Sequence, residues 1–204
     1  MSNPPPSKSP QDAIRRELYL LTLYRVFEAA LLCLVLFSPV GGLMGEPRHA
    51  LLGRVVAVAY LVAALVLFAS GRRGEIRTQA LVGSATDIVA AMLAMHALPD
   101  SSAGIAMMLL FNVGAAAFLL PIRLGLGVAA TASAALAGEY LWSLLGDRSA
   151  TRPLAEVMMF ATSYMAVATL TNQIGRQMLA SEELAERRGS QVANLAEVNE
   201  LIIR

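Results

Sequence analysis

Six polar or ionisable side chains stand inside otherwise apolar stretches of this chain: Arg25, Glu28, Asp87, Asn112, Glu139 and Glu156. A charge at the middle of a bilayer costs about 2.5–3.5 kcal/mol on insertion scales, so each should face a bundle interior and find a partner there. Arg25 and Glu28 are spaced i, i+3, close enough to meet on one helix face. Arg25 and Asp87 each lie seven residues from the expected inner ends of their stretches, at Leu18 and Ala80. That puts both about 10 Å deep at 1.5 Å per residue. Equal depth and opposite sign predict an Arg25–Asp87 bridge, with Glu28 competing for the arginine. Asn112 belongs near the middle of its stretch, Glu139 and Glu156 nearer the outer face. Four acids against one buried arginine leave an acidic excess, which protonation or a cationic ligand group would offset. The alternative role for the whole set is polar glue between helices.

Other chemistry is sparse. No Gly-rich phosphate loop precedes a helix, and no histidine pair has metal spacing. No nucleophile or acid–base set stands out, so no catalytic residue and no metal site is expected. His49 and His96 sit on different apolar segments and read as interfacial side chains. Cys33 is the sole cysteine, which excludes a disulfide framework and suits a small apolar filler. The Gly125–Gly127 pair lies in an apolar run and reads as a place of close packing.

The elements that must position these groups follow from composition. The 204 residues are 56% hydrophobic and 15% charged, with a mean hydropathy of +0.59; soluble domains carry about 25% charged residues. Disordered chains and nucleic-acid-binding domains are excluded. The expectation is an all-α polytopic membrane protein. About 20 apolar residues cross a bilayer as a helix, and six stretches qualify: Leu18–Val40, Ala50–Ser70, Ala80–Leu98, Ala103–Leu120, Leu124–Leu145 and Pro153–Gln173. Before them, residues 1–12, with Pro4-Pro5-Pro6, read as a disordered leader. The first run is too long for a signal h-region and should persist as an anchor. Small residues line the third span (Gly83, Ser84, Asp87, Ala91, Ala94) and the fifth (Thr131, Ala134, Ala135, Gly138), as bundle packing faces.

Basic residues set the orientation. With the N-terminus inside, eleven of the sixteen are cytoplasmic. Arg48, Arg54, Arg148 and Arg152 then lie at the outer side, and Arg25 in the membrane. This bias places both termini in the cytoplasm. The outer loops are short, so any signal must be met in or near the bilayer.

After Gln173 the chain turns charged and helix-forming. A weak heptad places Met178, Ala185, Val192 and Asn199 at a, and Ser181, Arg188, Leu195 and Ile202 at d. A second register through Leu184, Val198 and Leu201 is nearly as good. Residues 175–204 are therefore expected to form a juxtamembrane signalling helix in a homodimer, with Leu195, Asn199 and Ile202 relaying the signal. A solvated helix without a partner is the plainer alternative. No stop signal precedes Arg204, as in a domain that continues into a longer chain.

With these residues in view, the sequence resembles the N-terminal six-helix membrane domain of the PilS family, sensor histidine kinases that control type IV pilus expression. The carriers are Leu23-Tyr24-Arg25, Asp87-Ile88 with Met95-His96-Ala97, Leu119-Leu120-Pro121-Ile122-Arg123, Glu139-Tyr140, and the exit segment Glu186-Arg-Arg-Gly189, Val192-Ala-Asn-Leu195 and Asn199-Glu-Leu-Ile-Ile203. The resemblance implies a multi-pass protein of the bacterial inner membrane. It implies sensing of the major pilin by helix contact and phosphorelay to the response regulator PilR. It also implies a PAS and kinase region beyond these residues, where ATP and Mg would bind; this chain itself is expected to hold no cofactor. The main rival is a small transporter or channel with Glu28, Asp87 and Glu139 on its path, which should show symmetric halves or helices broken at mid-span. A scaffold that only anchors a cytoplasmic domain is a third reading.

Overall fold

Lipid offers no water to backbone N–H and C=O groups, so an apolar run of crossing length must satisfy them within a helix. In the computed structural model every expected span is one. The structure describes residues 10–38, 47–71, 75–146 and 152–203, with only the backbone described for 10–15, 179 and 182–203. Six helices follow in order: α1 Pro10–Phe37, α2 Ala50–Ser70, α3 Ile76–Ala97, α4 Ser102–Leu119, α5 Ile122–Gly146 and α6 Leu154–Ile203. No strand occurs among the described residues. Each helix contains a stretch long and apolar enough to span. None is broken at mid-span, so one of the two features expected of a transporter is absent among the described residues.

The expected ends are met to within a few residues, and the deviations have local causes. Residues 1–9 of the expected leader lie outside the described residues, and Pro10 to Asp12 already belong to α1. Pro fits a first helical position because its missing N–H has no partner there anyway. Pro121 separates α4 from α5. The residue before it, Leu120, is extended at φ −102°, ψ 151°, as the proline ring requires. Residue Gly125 permits the tight turn that results: a Cβ there would meet the Ala117 Cα at 3.0 Å. Close packing holds for Gly125 only, since Gly127 faces open space.

The bundle has two central helices and four outer ones. α3 touches α1, α2, α4 and α5, and α4 touches α1, α3, α5 and α6. In their spanning stretches 56% of α3 and 50% of α4 is buried, against 28% or less in the other four. α3 reaches its central place through small buried residues, among them Ala80, Gly83, Ser84, Ala90 and Ala94. The expected face of α5 behaves differently. Thr131, Ala134 and Gly138 are exposed, and only Ala135 is partly covered. They look outward because α5 packs on its neighbours through Val128, Ala129, Ala132 and Leu136 instead. Large apolar side chains such as Phe27, Leu34, Val66, Phe111, Trp142 and Met158 also face outward. Water would not tolerate that surface, and hydrocarbon would.

α6 runs unbroken for 50 residues, about 75 Å at 1.5 Å per residue. Its first half packs on α4 and α5. Its second half carries Leu195, Asn199 and Ile202 on continuous helical backbone. The side chains of those three lie outside the described residues.

Candidate functional site

The centre of the site is one salt bridge between α1 and α3. The Arg25 Nε donates to both carboxylate oxygens of Asp87, at 3.0 Å to Oδ1 and 2.8 Å to Oδ2. Arg25 is 0% exposed, Asp87 2%, Asn112 2% and Glu28 6%, so the group is sealed from the lipid face. Uncompensated, such burial would cost several kcal/mol per ion; the fixed geometry and added hydrogen bonds offset it. The depth match read from the sequence therefore has a geometric counterpart.

Glu28 does not compete for the arginine. It points past Arg25 to α4, where the Asn112 Nδ2 donates to its Oε2 at 2.9 Å. A further member comes from α2. Tyr60 Oη lies 3.0 Å from Asp87 Oδ1 and 3.2 Å from Glu28 Oε2. Five side chains from four helices thus form one connected set. A cavity of about 30 Å³ adjoins it, lined by Glu28, Tyr60, Asp87 and Asn112 among apolar residues. The buried Asn112 Oδ1 and the Arg25 Nη1 and Nη2 have no hydrogen-bond partner among the described residues.

Space for the guanidinium is supplied by Gly83. A Cβ at that position would lie 2.4 Å from Arg25 Nη1 and 2.5 Å from Cζ. The small-residue pattern assigns Gly83 to helix packing; in the structure it is the floor on which the arginine lies. Tyr60 carries a different signal. Tyr normally marks the membrane interface, whereas Tyr60 is the eleventh of the 21 residues of α2. A lone hydroxyl at mid-span needs a partner, and that is the clue the sequence offers.

Glu139 and Glu156 do not join this set. Glu139 pairs with Arg152 just ahead of α6, and its Oε1 is 3.8 Å from His96 Nδ1. His96 stacks on His49 with ring centroids 5.7 Å apart and meets Trp142 edge-on at 6.4 Å. This second cluster sits nine residues along α3 from Asp87, about 13 Å away. Glu156 lies in the first turn of α6. A negative charge is favoured there by the free N–H groups of the helix start.

The output helix is fastened to α4 by two side chains that no sequence pattern singles out. The buried Tyr164 hydroxyl donates to Ala106 O at 3.0 Å. The Asn172 Nδ2 donates to Ala117 O and Leu120 O, both at 3.0 Å. The first of these two contacts has a cause in sequence. Pro121 has no N–H to offer the carbonyl four residues earlier, so Ala117 O takes its hydrogen bond from α6. A lateral groove of about 660 Å³ opens between α1, α4 and α6, with Tyr24, Phe111, Gly114, Val167 and Thr171 on its walls and Glu17 at its rim.

A family model described as a PilS-like transmembrane domain matches residues 7–185. Among curated proteins, the chain is 31% identical over 194 residues to the sensor protein kinase PilS of Pseudomonas aeruginosa. The match covers 93% of this chain and 36% of that relative, so the chain spans about a third of the relative's length. No solved structure matches.

Proposed function

Because this chain belongs to the family of PilS-like transmembrane domains, we propose that it is the membrane input region of a sensor histidine kinase governing type IV pilus expression, and that its signal is the major pilin. The sensor-kinase assignment rests on the family and on the PilS relative. One structural observation carries the reading further. The polar network of α1–α4 is connected through Asn112 to α4, and α4 is bonded through Asn172 to the helix that leaves the bundle. A change felt at α1 therefore has a bonded route to α6.

Pilin enters by its own chemistry, an apolar helix with a charged end. The groove between α1, α4 and α6 opens sideways, is almost wholly apolar and carries Glu17 at its rim. A helix seated there would touch α1 and α6 together. It would bias two arrangements of the bundle only if it fits one better than the other. The second half of α6 would pass that bias to a PAS and kinase region in a homodimer, where ATP and Mg bind, and on to PilR. Both termini lie in the cytoplasm in this reading, and the membrane is the bacterial inner membrane, in keeping with the basic residues.

Site-directed crosslinking tests it. In the full-length kinase with Cys33→Ser, single cysteines at Leu20, Phe111 and Val167 should trap pilin, while cysteines at Thr131 and Gly138 on the outer face of α5 should not. Labelling of α5 alone, or pilin-independent kinase output, refutes the reading.

A further inference from the structure

Hydrogen counting in the buried network leads beyond a sensor of helices. Tyr60 has one hydroxyl hydrogen, yet its oxygen lies within hydrogen-bond distance of two carboxyl groups, Asp87 Oδ1 at 3.0 Å and Glu28 Oε2 at 3.2 Å. Were both acids ionised, one of these oxygen–oxygen contacts would hold no hydrogen. The two acids would also share a single guanidinium in a lipid-embedded interior, leaving one uncompensated negative charge. An isolated buried carboxylate is costly enough that the group takes up a proton instead.

We propose that Glu28, with Tyr60, Asp87 and Asn112, forms an intramembrane proton-binding site in which Glu28 carries the proton. Every contact then holds one hydrogen. The Glu28 carboxylic O–H donates to Tyr60 Oη, and the Tyr60 O–H donates to Asp87 Oδ1. Asp87 remains ionised because the Arg25 Nε donates to both its oxygens. The Asn112 Nδ2 donates to Glu28 Oε2, which as a carboxylic oxygen can accept one bond and give another.

The surroundings fit uptake and release. The adjoining cavity of about 30 Å³ has room for a water. Asn112 lines that cavity, and its Oδ1 has no hydrogen-bond partner among the described residues. Proton uptake converts the carboxylate and a hydronium into the carboxylic acid and this water, so atoms and charge balance. The groups facing Glu28 are few: Arg25 and the Tyr24 hydroxyl on its own helix, Tyr60 from α2, Asp87 from α3 and the neutral Asn112 amide from α4. Arg25 donates through Nε to Asp87 and makes no hydrogen bond to Glu28, and no second cation stands beside Glu28 among the described residues. Loss of the proton would leave the Tyr60 hydrogen contested between two anions and loosen the tie between α1 and α2.

Infrared spectroscopy of the full chain in lipid vesicles at pH 7 decides the matter without pilin or a kinase, so failure here is separable from failure of the functional reading. The expected result is a carbonyl stretching band of a protonated carboxylic acid, shifted by D₂O and lost in Glu28→Gln. Tyr60→Phe should keep the band but move it to higher frequency, since one hydrogen bond is removed. Helix content of both variants, read from circular dichroism, should match the parent chain. Absence of the band in the folded parent overturns the proposal, and so does a band removed by Asp87→Asn but unchanged in Glu28→Gln. A missing band together with a melting temperature that rises in sodium but not in choline chloride overturns it in favour of a sodium site.

Discussion

Two polar clusters occupy the same bundle, and they obey different physics. The Arg25–Glu28–Tyr60–Asp87–Asn112 set draws one or two residues from each of four helices. It lies at mid-span, out of reach of bulk water. The Glu139–Arg152–His96 set lies at the helix ends. Its arginine comes from the residues ahead of α6, and the His96 side chain is partly exposed. The Arg152 and Glu139 side chains are 11% and 9% exposed, so the pair is mostly covered, but it stands at the membrane surface and not at mid-span. The first cluster is therefore obligatory for the bundle as built, whereas the second can exchange partners. The contrast also explains why acids of similar appearance in the sequence have such different neighbours.

The strongest test of the contrast is Asp87→Ala. It leaves a buried guanidinium unpaired, and breaking a buried pair in this way costs about 3–5 kcal/mol. The cost should appear as a lowered unfolding midpoint in detergent micelles. Removing both charges, as in Arg25→Leu with Asp87→Leu, should cost less than Asp87→Ala alone. In the cycle of Arg25→Ala and Asp87→Ala, additive effects would sink the bridge.

Next in size is Gly83→Ala. Alanine is the better helix former by about 1 kcal/mol in water, so propensity alone predicts stabilisation. The new Cβ would sit 2.4 Å from Arg25 Nη1, and overpacking of this kind costs about 1–3 kcal/mol. The net effect should be destabilising in the parent chain. In an Arg25→Leu background, where the guanidinium is gone, the same substitution should lose much of its cost. A cost that stays equal in both backgrounds would return Gly83 to plain helix packing.

How much of this can be read in advance depends on how each residue advertises itself. The six spans are legible because crossing a bilayer demands a long apolar run, and chance rarely supplies one. The Arg25–Asp87 pairing is legible because charge inside such a run is costly and depth can be counted from the ends. Tyr60 is not, since a tyrosine within the run Val58-Ala59-Tyr60-Leu61 passes for apolar filler until its hydroxyl is asked for a partner. Gly83 is visible in the sequence, but its spacing points to the commoner role. The α5 face shows the limit of small-residue patterns: Thr131, Ala134 and Gly138 have the spacing of a packing seam and face outward. The sequence places Glu139 at the right depth, but its partner Arg152 reads there as an outer-loop charge. Pairing across a loop leaves no periodicity to read.

A smaller effect is expected at the joint between the bundle and its output helix. Asn172→Leu removes two bonds to carbonyls at the break that Pro121 makes between α4 and α5. Unsatisfied buried acceptors cost about 1–3 kcal/mol, and the low end is expected because Pro121 already permits some fraying. The sharper readout is mechanical. Cysteine pairs between Leu119 and α6 residues near Gly175 should crosslink over a wider range of positions in Asn172→Leu than in the parent. Pro121→Ala offers an independent check, because it supplies the missing N–H to Ala117 O and should loosen the same joint while leaving Asn172 intact. An unchanged crosslinking pattern in both variants would remove Asn172 from the route.

The smallest effect should come from Glu139→Gln. The amide keeps the shape and can still accept from Arg152, so only the charge on one partner is lost. About 1 kcal/mol is expected. Salt separates the two clusters further. Raising ionic strength from 0.1 M, where screening acts over about 10 Å, to 1 M, where it acts over about 3 Å, should erase the small cost of Glu139→Gln. The cost of Asp87→Ala should stay as it was, since ions do not enter the mid-span interior. If salt changed both costs alike, the mid-span network would have to be open to water, and its separation from the helix-end cluster would fall with it.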